Sequence, residues 1–312
     1  MRIAVIDMGT NTFNLLIADQ QQRGFTILYS DRYPVKLGQK LQEQHQIDPE
    51  GIVRILQVLQ IFQEVIHSYQ VDKTLAFATS SIRTAKNQSE ILKKIKQLLN
   101  INVQVIDGDR EAELIYYACQ YAIQTCMDTA IQQPFLIMDI GGGSTEFILA
   151  NTQSPIWKQS FLLGMARLID ELQPSDPMRA EDIQNIFSYL DKMLFPLHHQ
   201  VQKHKPRILV GSSGVFDSVV EMIEANVRPI EKTDRCGVIY KNDFDAIYQK
   251  ILPLTYAERL QFKGLVAMRA DMIVISLTMI DYVLQKLGIE KIMISFYSLK
   301  EGVVVEDLLK HP

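Results

Sequence analysis

VIDMGTNTFNLLIAD, Val5 to Asp19, and IMDIGGGSTEFILAN, Ile137 to Asn151, lie over each other without a gap. In both, an apolar run leads to an aspartate, a glycine-bearing turn rich in hydroxyls follows, and a second apolar run closes the segment. The runs at Leu15, Leu16, Ile17 and at Phe147, Ile148, Leu149 are β-prone, so each copy reads as strand, tight turn, strand. Glycine lets the backbone bend until its N–H groups converge, and Thr10, Thr12, Ser144 and Thr145 add hydroxyl donors. Such a turn cradles a tetrahedral oxyanion. One copy alone is more often an ordinary hairpin; two copies suggest a phosphate chain held between them.

A second matched pair supports duplication. LAFATSSIR turns through Thr79, Ser80 and Ser81, and RILVGSSGV through Gly211, Ser212 and Ser213. Asp7 and Asp139 are 132 residues apart, as are Ser80 and Ser212, which argues for a repeated domain. At 312 residues the chain exceeds a comfortable single core and accommodates two domains. The boundaries expected are residues 1–126, joined by a C-terminal helix at 298–312, for the first domain and 127–297 for the second, with a hinge near 124–134 where periodicity fades.

Hydrophobic residues make up 47% and charged residues 22%, as in a folded globular protein, and the net charge of −4 leaves no general basic surface for nucleic acid or anionic membrane. Cys119, Cys126 and Cys236 form no CxxC pair. They read as three thiols in a reducing cytoplasm. The start MRIAVID enters a strand at once and lacks a signal pattern. The uncharged run from Met272 to Ile280 is too short to span a bilayer and reads as part of a buried helix, packed in the core or on a homodimer surface.

Between these landmarks, Ile52, Ile55, Leu56, Leu59 and Phe62 share one face of a helix from about Pro49 to Tyr69. Asn87 followed by Glu90 marks a capped helix running to Asn100, which leaves Arg83 in a strand-to-helix loop. A strand Val103–Asp107 leads into a helix with Asp109 as N-cap and Glu111 in its first turn. Ser212 and Ser213 precede another helix, where free N–H groups and the helix dipole favour an anion. His198, His199 and His204 lie near Lys203, Lys205 and Arg207 and read as a solvated basic cluster.

These residues resemble the exopolyphosphatase and guanosine pentaphosphate phosphohydrolase (Ppx/GppA) family along nearly the whole chain. DMGTNTF from Asp7 to Phe13 resembles its first phosphate loop, ATSSIRTA from Ala78 to Ala85 its arginine loop, and DIGGGSTE from Asp139 to Glu146 its second phosphate loop. IDGDREAEL from Ile106, LGMARL from Leu163, GSSG from Gly211 and SLKEG from Ser298 also match. The resemblance implies an α/β protein of two tandem actin-like, sugar-kinase-like domains facing one another across a cleft, in the family's short form.

By the same resemblance, Glu111 matches the general base and Arg83 the phosphate-facing arginine. Gly9, Thr10, Asn11 and Thr12, Gly141, Gly142, Gly143, Ser144 and Thr145, and Ser212 with Ser213 match phosphate-binding positions. Asp139 and Glu146 match acidic residues implicated in holding Mg2+. The activity implied is release of terminal phosphate from inorganic polyphosphate or guanosine pentaphosphate, and the binding partners implied are these and guanosine tetraphosphate. Departures fall at Arg110, where the family usually has glutamate, and at Val215, Phe296 and Tyr297. They leave room for a sensor that binds such a polyanion with little turnover. A kinase of the same fold is less favoured, since GSSG is short of a full adenosine-binding glycine motif.

Overall fold

A computed structural model describes residues 1–21, 24–38, 45–124 and 133–310. These divide into two compact units, one of residues 1–118, 141–143 and 299–312, the other of residues 119–140 and 144–298. The division falls inside a helix rather than at 126/127, and the short Gly141–Gly143 segment groups with the first unit. The anticipated hinge lies largely outside the described residues.

In the first unit the opening segment is a hairpin. β1 (Arg2–Met8) pairs antiparallel with β2 (Thr12–Gln21), and β2 with β3 (Gly24–Pro34). Asp48 then starts α1 (Pro49–Ser68): its carboxylate accepts from Gly51 N at 2.6 Å, and a proline at the first helical position sacrifices no hydrogen bond. Ile52, Ile55, Leu59 and Phe62 are buried from this helix, with Leu56 packed beside them.

β4 (Lys73–Ala78) is parallel to β1, and β5 (Val103–Val105) to β4, giving the sheet order β3-β2-β1-β4-β5. Between them lie α2 (Ser80–Thr84) and α3 (Gln88–Leu99). Arg83 thus belongs to a short helix and not to a loop, a correction to the sequence reading. The ends expected of α3 hold, and Asn100 closes it in the left-handed region at φ 52. Asn87 does not cap it by side chain, however. Its amide bridges Ile47 N and Ile47 O instead, at 3.0 and 2.8 Å.

α4 (Gly108–Ile123) follows, and its first turn is held by Asp107, whose carboxylate accepts from Arg110 N at 2.7 Å. Asp109 was the expected cap. It is already inside the helix, which begins at Gly108, so Asp107 rather than Asp109 takes the position whose side chain meets a first-turn N–H. The C-terminal residues return to this unit as a helix on β1 and β2.

The second unit repeats the plan. β6 (Phe135–Ile140), β7 (Thr145–Ala150) and β8 (Pro155–Phe161) form the antiparallel set; β9 (Ile208–Ser212) is parallel to β6. After α5 (Met165–Leu172), α6 (Ala180–Met193) and α7 (Phe195–His204), and beyond β9, come α8 (Gly214–Asn226), β10 (Glu231–Lys232), β11 (Cys236–Tyr240), α9 (Lys241–Ile251), α10 (Tyr256–Arg259), α11 (Ile273–Leu287), β12 (Lys291–Ser295) and α12 (Leu299–Lys310). The order β8-β7-β6-β9-β12 reproduces that of the first sheet, and β11 and β10 extend it. Two related α/β domains are therefore present.

α11 is buried without interruption from Ile273 to Leu284, so this apolar helix belongs to the core of its unit. No helix among the described residues is long and apolar enough to cross a membrane. Cys119 is a buried free thiol, whereas Cys236 is disulfide-bonded, which corrects the expectation of three thiols at that position; Cys126 lies outside the described residues.

Candidate active site

The turn from β1 to β2 is closed by Gly9 N donating to Thr12 O at 3.1 Å. A Cβ on Gly9 would sit 2.9 Å from that same oxygen, so a side chain would pry the turn open. Val35 N and Lys36 N donate to Asn11 O, and Leu37 N to Thr10 O, at 2.8 to 3.0 Å. In a trans peptide the N–H opposes the C=O, so the amides of Asn11 and Thr12 point away from residues 35–37. That is the backbone arrangement an anion cradle needs.

Gly142 and Gly143 pack against this turn. A Cβ on Gly142 would come within 2.4 Å of Asn11 Nδ2, and one on Gly143 within 2.5 Å of Ser80 Oγ and 2.7 Å of Thr10 Oγ1. Ser81 Oγ donates to Thr10 Oγ1 at 2.7 Å, with Thr10, Ser80 and Ser81 all buried. One turn along α2, Arg83 donates from one guanidinium nitrogen to Ile106 O at 2.9 Å and to Glu111 Oε2 at 2.8 Å. At a rise of about 1.5 Å per residue, three residues of helix separate Ser80 from Arg83 by roughly 4.5 Å. α2 therefore joins the carboxylate of Glu111, a buried residue, to both glycine segments.

Asp7 ends β1 beside this turn and accepts from Asn14 Nδ2 at 2.9 Å. Burial pushes its carboxyl up to about 6, offset in part by the Asn14 hydrogen bond and the charge of Lys300, while Glu301 adds to the rise. The folded state thus keeps a proton that the unfolded chain releases near 3.8. Stability from this group is complete below that value and is lost as pH rises through about 6. Asp7→Asn is expected to flatten the decline of the urea midpoint between about pH 4 and pH 6, read by denaturation at a series of pH values.

In the second unit, register places four polar side chains in one row. Asp139 on β6 lies opposite Glu146 on β7 and Ser212 on β9, and Glu146 lies opposite Ser160 on β8. Ser212 Oγ donates to Asp139 Oδ2 at 2.8 Å, and Ser160 Oγ to Glu146 Oε1 at 2.6 Å. Two facing carboxylates, joined by phosphate oxygens and water, suit magnesium's oxygen shell. Among the described residues no group of three or more His, Cys, Asp or Glu side chains is placed to hold a metal.

Several expected phosphate donors are otherwise engaged. Thr145 is fully buried and its hydroxyl donates to Leu163 O at 2.9 Å, while Ser144 is buried beside it in the chain. Ser212 serves Asp139, and Ser213, at φ 77, donates to Ile140 O at 3.2 Å. The Thr145, Ser212 and Ser213 hydroxyls thus brace the ends of β6, β7 and β9 on either side of the Gly141–Gly143 segment. The helix start after Ser213 is also covered, since a Cβ on Gly214 would meet the Arg269 guanidinium at 1.6 Å. His198 is not a solvated base either: its Nε2 meets Tyr282 Oη at 2.8 Å, and burial lowers its pKa.

Sequence reading missed the partners Asn14 and Ser160. For Asn14 a signal existed, because it precedes Glu146 by the same 132 residues that separate Asp7 from Asp139. The equal offset of Ser80 and Ser212 misled, since Asp7 pairs with Phe77 on β4 whereas Asp139 pairs with Ser212 on β9. Register shows these two serines to be inequivalent by three residues.

The model of the Ppx/GppA phosphatase family matches residues 16–311. A crystal structure of an exopolyphosphatase from Cytophaga hutchinsonii is 37% identical, with a TM-score of 0.93, covering 99% of this chain and 98% of that one. The Aquifex aeolicus member of the Ppx/GppA family is 25% identical at a TM-score of 0.81, covering 100% and 98%. Exopolyphosphatase 1 of Mycobacterium bovis is 25% identical over 311 residues, 99% of this chain and 88% of that protein.

Proposed function

Since the chain belongs to the Ppx/GppA phosphatase family, we propose that it hydrolyses the terminal phosphoanhydride bond of inorganic polyphosphate, with Glu111 accepting a proton from the attacking water. The observation that carries this reading is the single short helix α2, which ties the Glu111 carboxylate through Arg83 to the turn at Gly9–Thr12 and the segment at Gly141–Gly143. Phosphoryl transfer asks a protein for in-line water, neutralisation of charge on the transferred group and a stabilised leaving group. The amides of Asn11, Thr12 and the glycine segment hold the terminal phosphoryl oxygens. Arg83 orients the Glu111 carboxylate and presents a cation toward the phosphate. As water oxygen bonds to phosphorus, its proton passes to Glu111, the bridging P–O bond breaks, and the shortened chain leaves with the bonding electrons.

Asp139 and Glu146 are the residues that would hold Mg2+, which when bound supplies further neutralisation of phosphate charge. The names of the Cytophaga and Mycobacterium relatives support polyphosphate as the substrate class. Guanosine pentaphosphate is the comparison substrate. The test is phosphate release from polyphosphate and from guanosine pentaphosphate, with magnesium and with EDTA. Release from polyphosphate that falls to background in EDTA and returns with added Mg2+ is expected. Tight polyphosphate binding with no release under magnesium would replace the enzyme by a sensor.

A further inference from the structure

Arg110 immediately precedes the proposed base in the chain. Its side chain is not a loose surface charge. One guanidinium nitrogen donates to Glu113 Oε2 at 2.7 Å on its own helix, and the other to Glu306 Oε2 at 2.5 Å on α12. Glu306 is also approached by Lys310 Nζ at 3.2 Å, one turn further on. The two helices meet closely at the neighbouring turn, where a Cβ on Gly302 would fall 1.9 Å from Leu114 O. Gly302 lies four residues before Glu306, and Leu114 four after Arg110, so the backbone contact and the ion pair occupy successive turns of one helix packing.

An exposed ion pair contributes little. This one differs, because the Arg110 and Glu306 side chains are only 27% and 16% exposed and a rigid fork engages two carboxylates at once. The backbone N–H of Arg110 is fixed as well, donating to Asp107. Both ends of the residue are therefore anchored, one residue before Glu111. A glutamate at 110 would instead gather three carboxylates.

We propose that Arg110, forked between Glu113 and Glu306, is a positioning residue that sets the first turn of α4 and so aims the Glu111 carboxylate. This rests on the reading of Glu111 as the base. A displacement of about an ångström at a catalytic group is worth up to roughly a hundredfold in rate, and a partly released turn is expected to give about a tenfold loss. The loss belongs in kcat, because the phosphate-holding turns are on other elements.

The experiment measures kcat and KM for polyphosphate in Arg110→Ala, Glu306→Gln and the charge-reversed pair Arg110→Glu with Glu306→Arg. Each rate is normalised to the folded fraction from near-ultraviolet circular dichroism, and Glu111→Gln is run in parallel. Expected are a kcat about tenfold lower in Arg110→Ala with KM within about twofold, a smaller loss in Glu306→Gln, and recovery of most of the rate in the reversed pair. A normalised kcat in Arg110→Ala within about twofold of the parent overturns the proposal, as does a reversed pair no better than either single variant. If Glu111→Gln keeps the parent rate, the base assignment falls; if Glu111→Gln is inactive while Arg110→Ala is unaffected, only the positioning role falls.

Discussion

Glu111→Gln is expected to lower kcat for phosphate release from polyphosphate by about 10² to 10⁴-fold with KM within a few-fold of the parent. Glutamine keeps the shape of the side chain but loses the negative charge, the charge-assisted bond to Arg83 and the capacity to take a proton. Arg83 keeps its bond to Ile106 O at 2.9 Å, so α2 is still tied to the strand end beside α4 when the carboxylate charge is gone. The glycine turns proposed to hold phosphate are on elements other than the helix that carries Glu111. Steady-state kinetics separates these contributions: a variant with the parent's kcat would exclude Glu111 as base, and one with a raised KM alone would make it a binding group.

Gly143→Ala is expected to reduce kcat/KM by about a hundredfold or more, because displacing the turn proposed to hold phosphate would misplace the substrate by the order of an ångström. No left-handed backbone demands glycine there; the demand is steric. The added methyl would meet Ser80 Oγ at 2.5 Å, Thr10 Oγ1 at 2.7 Å and Ser80 Cβ at 3.0 Å. Neither neighbour can withdraw, since both are buried and Thr10 is held by Ser81. Ser80→Gly removes two of the three contacts, so the double variant Ser80→Gly with Gly143→Ala is expected to regain part of the loss. Equal defects in single and double variants would show that the close contact is not the cause.

Patterns spanning a few residues were legible before the structure. The two hairpins follow from alternating apolar runs around a glycine turn, and α1 from its apolar stripe with Asp48–Pro49 at its start. Glu111's place in a first turn was also legible, because helix entry is a local event. What failed was the assignment of side chains to partners. Asn87 looked like a cap and turned to Ile47, forty residues away; Asp107 took the capping role given to Asp109. Thr145, Ser212 and Ser213 carried the right chemistry for phosphate and spent their protons on Leu163 O, Asp139 and Ile140 O.

The amino-acid order by itself determined the duplication, the strand–turn–strand cradles and the residue types gathered near them, because each depends on backbone preferences that act over a handful of neighbours. Only the tertiary structure decided which hydroxyls are engaged within the protein, the three-residue difference in register between the two sheets, and the union of Glu111, Arg83, Thr10 and Gly143 through α2. A buried hydroxyl or carboxylate must find a partner wherever the fold supplies one, and that partner comes from strands and helices remote in the chain, where no local pattern can name it.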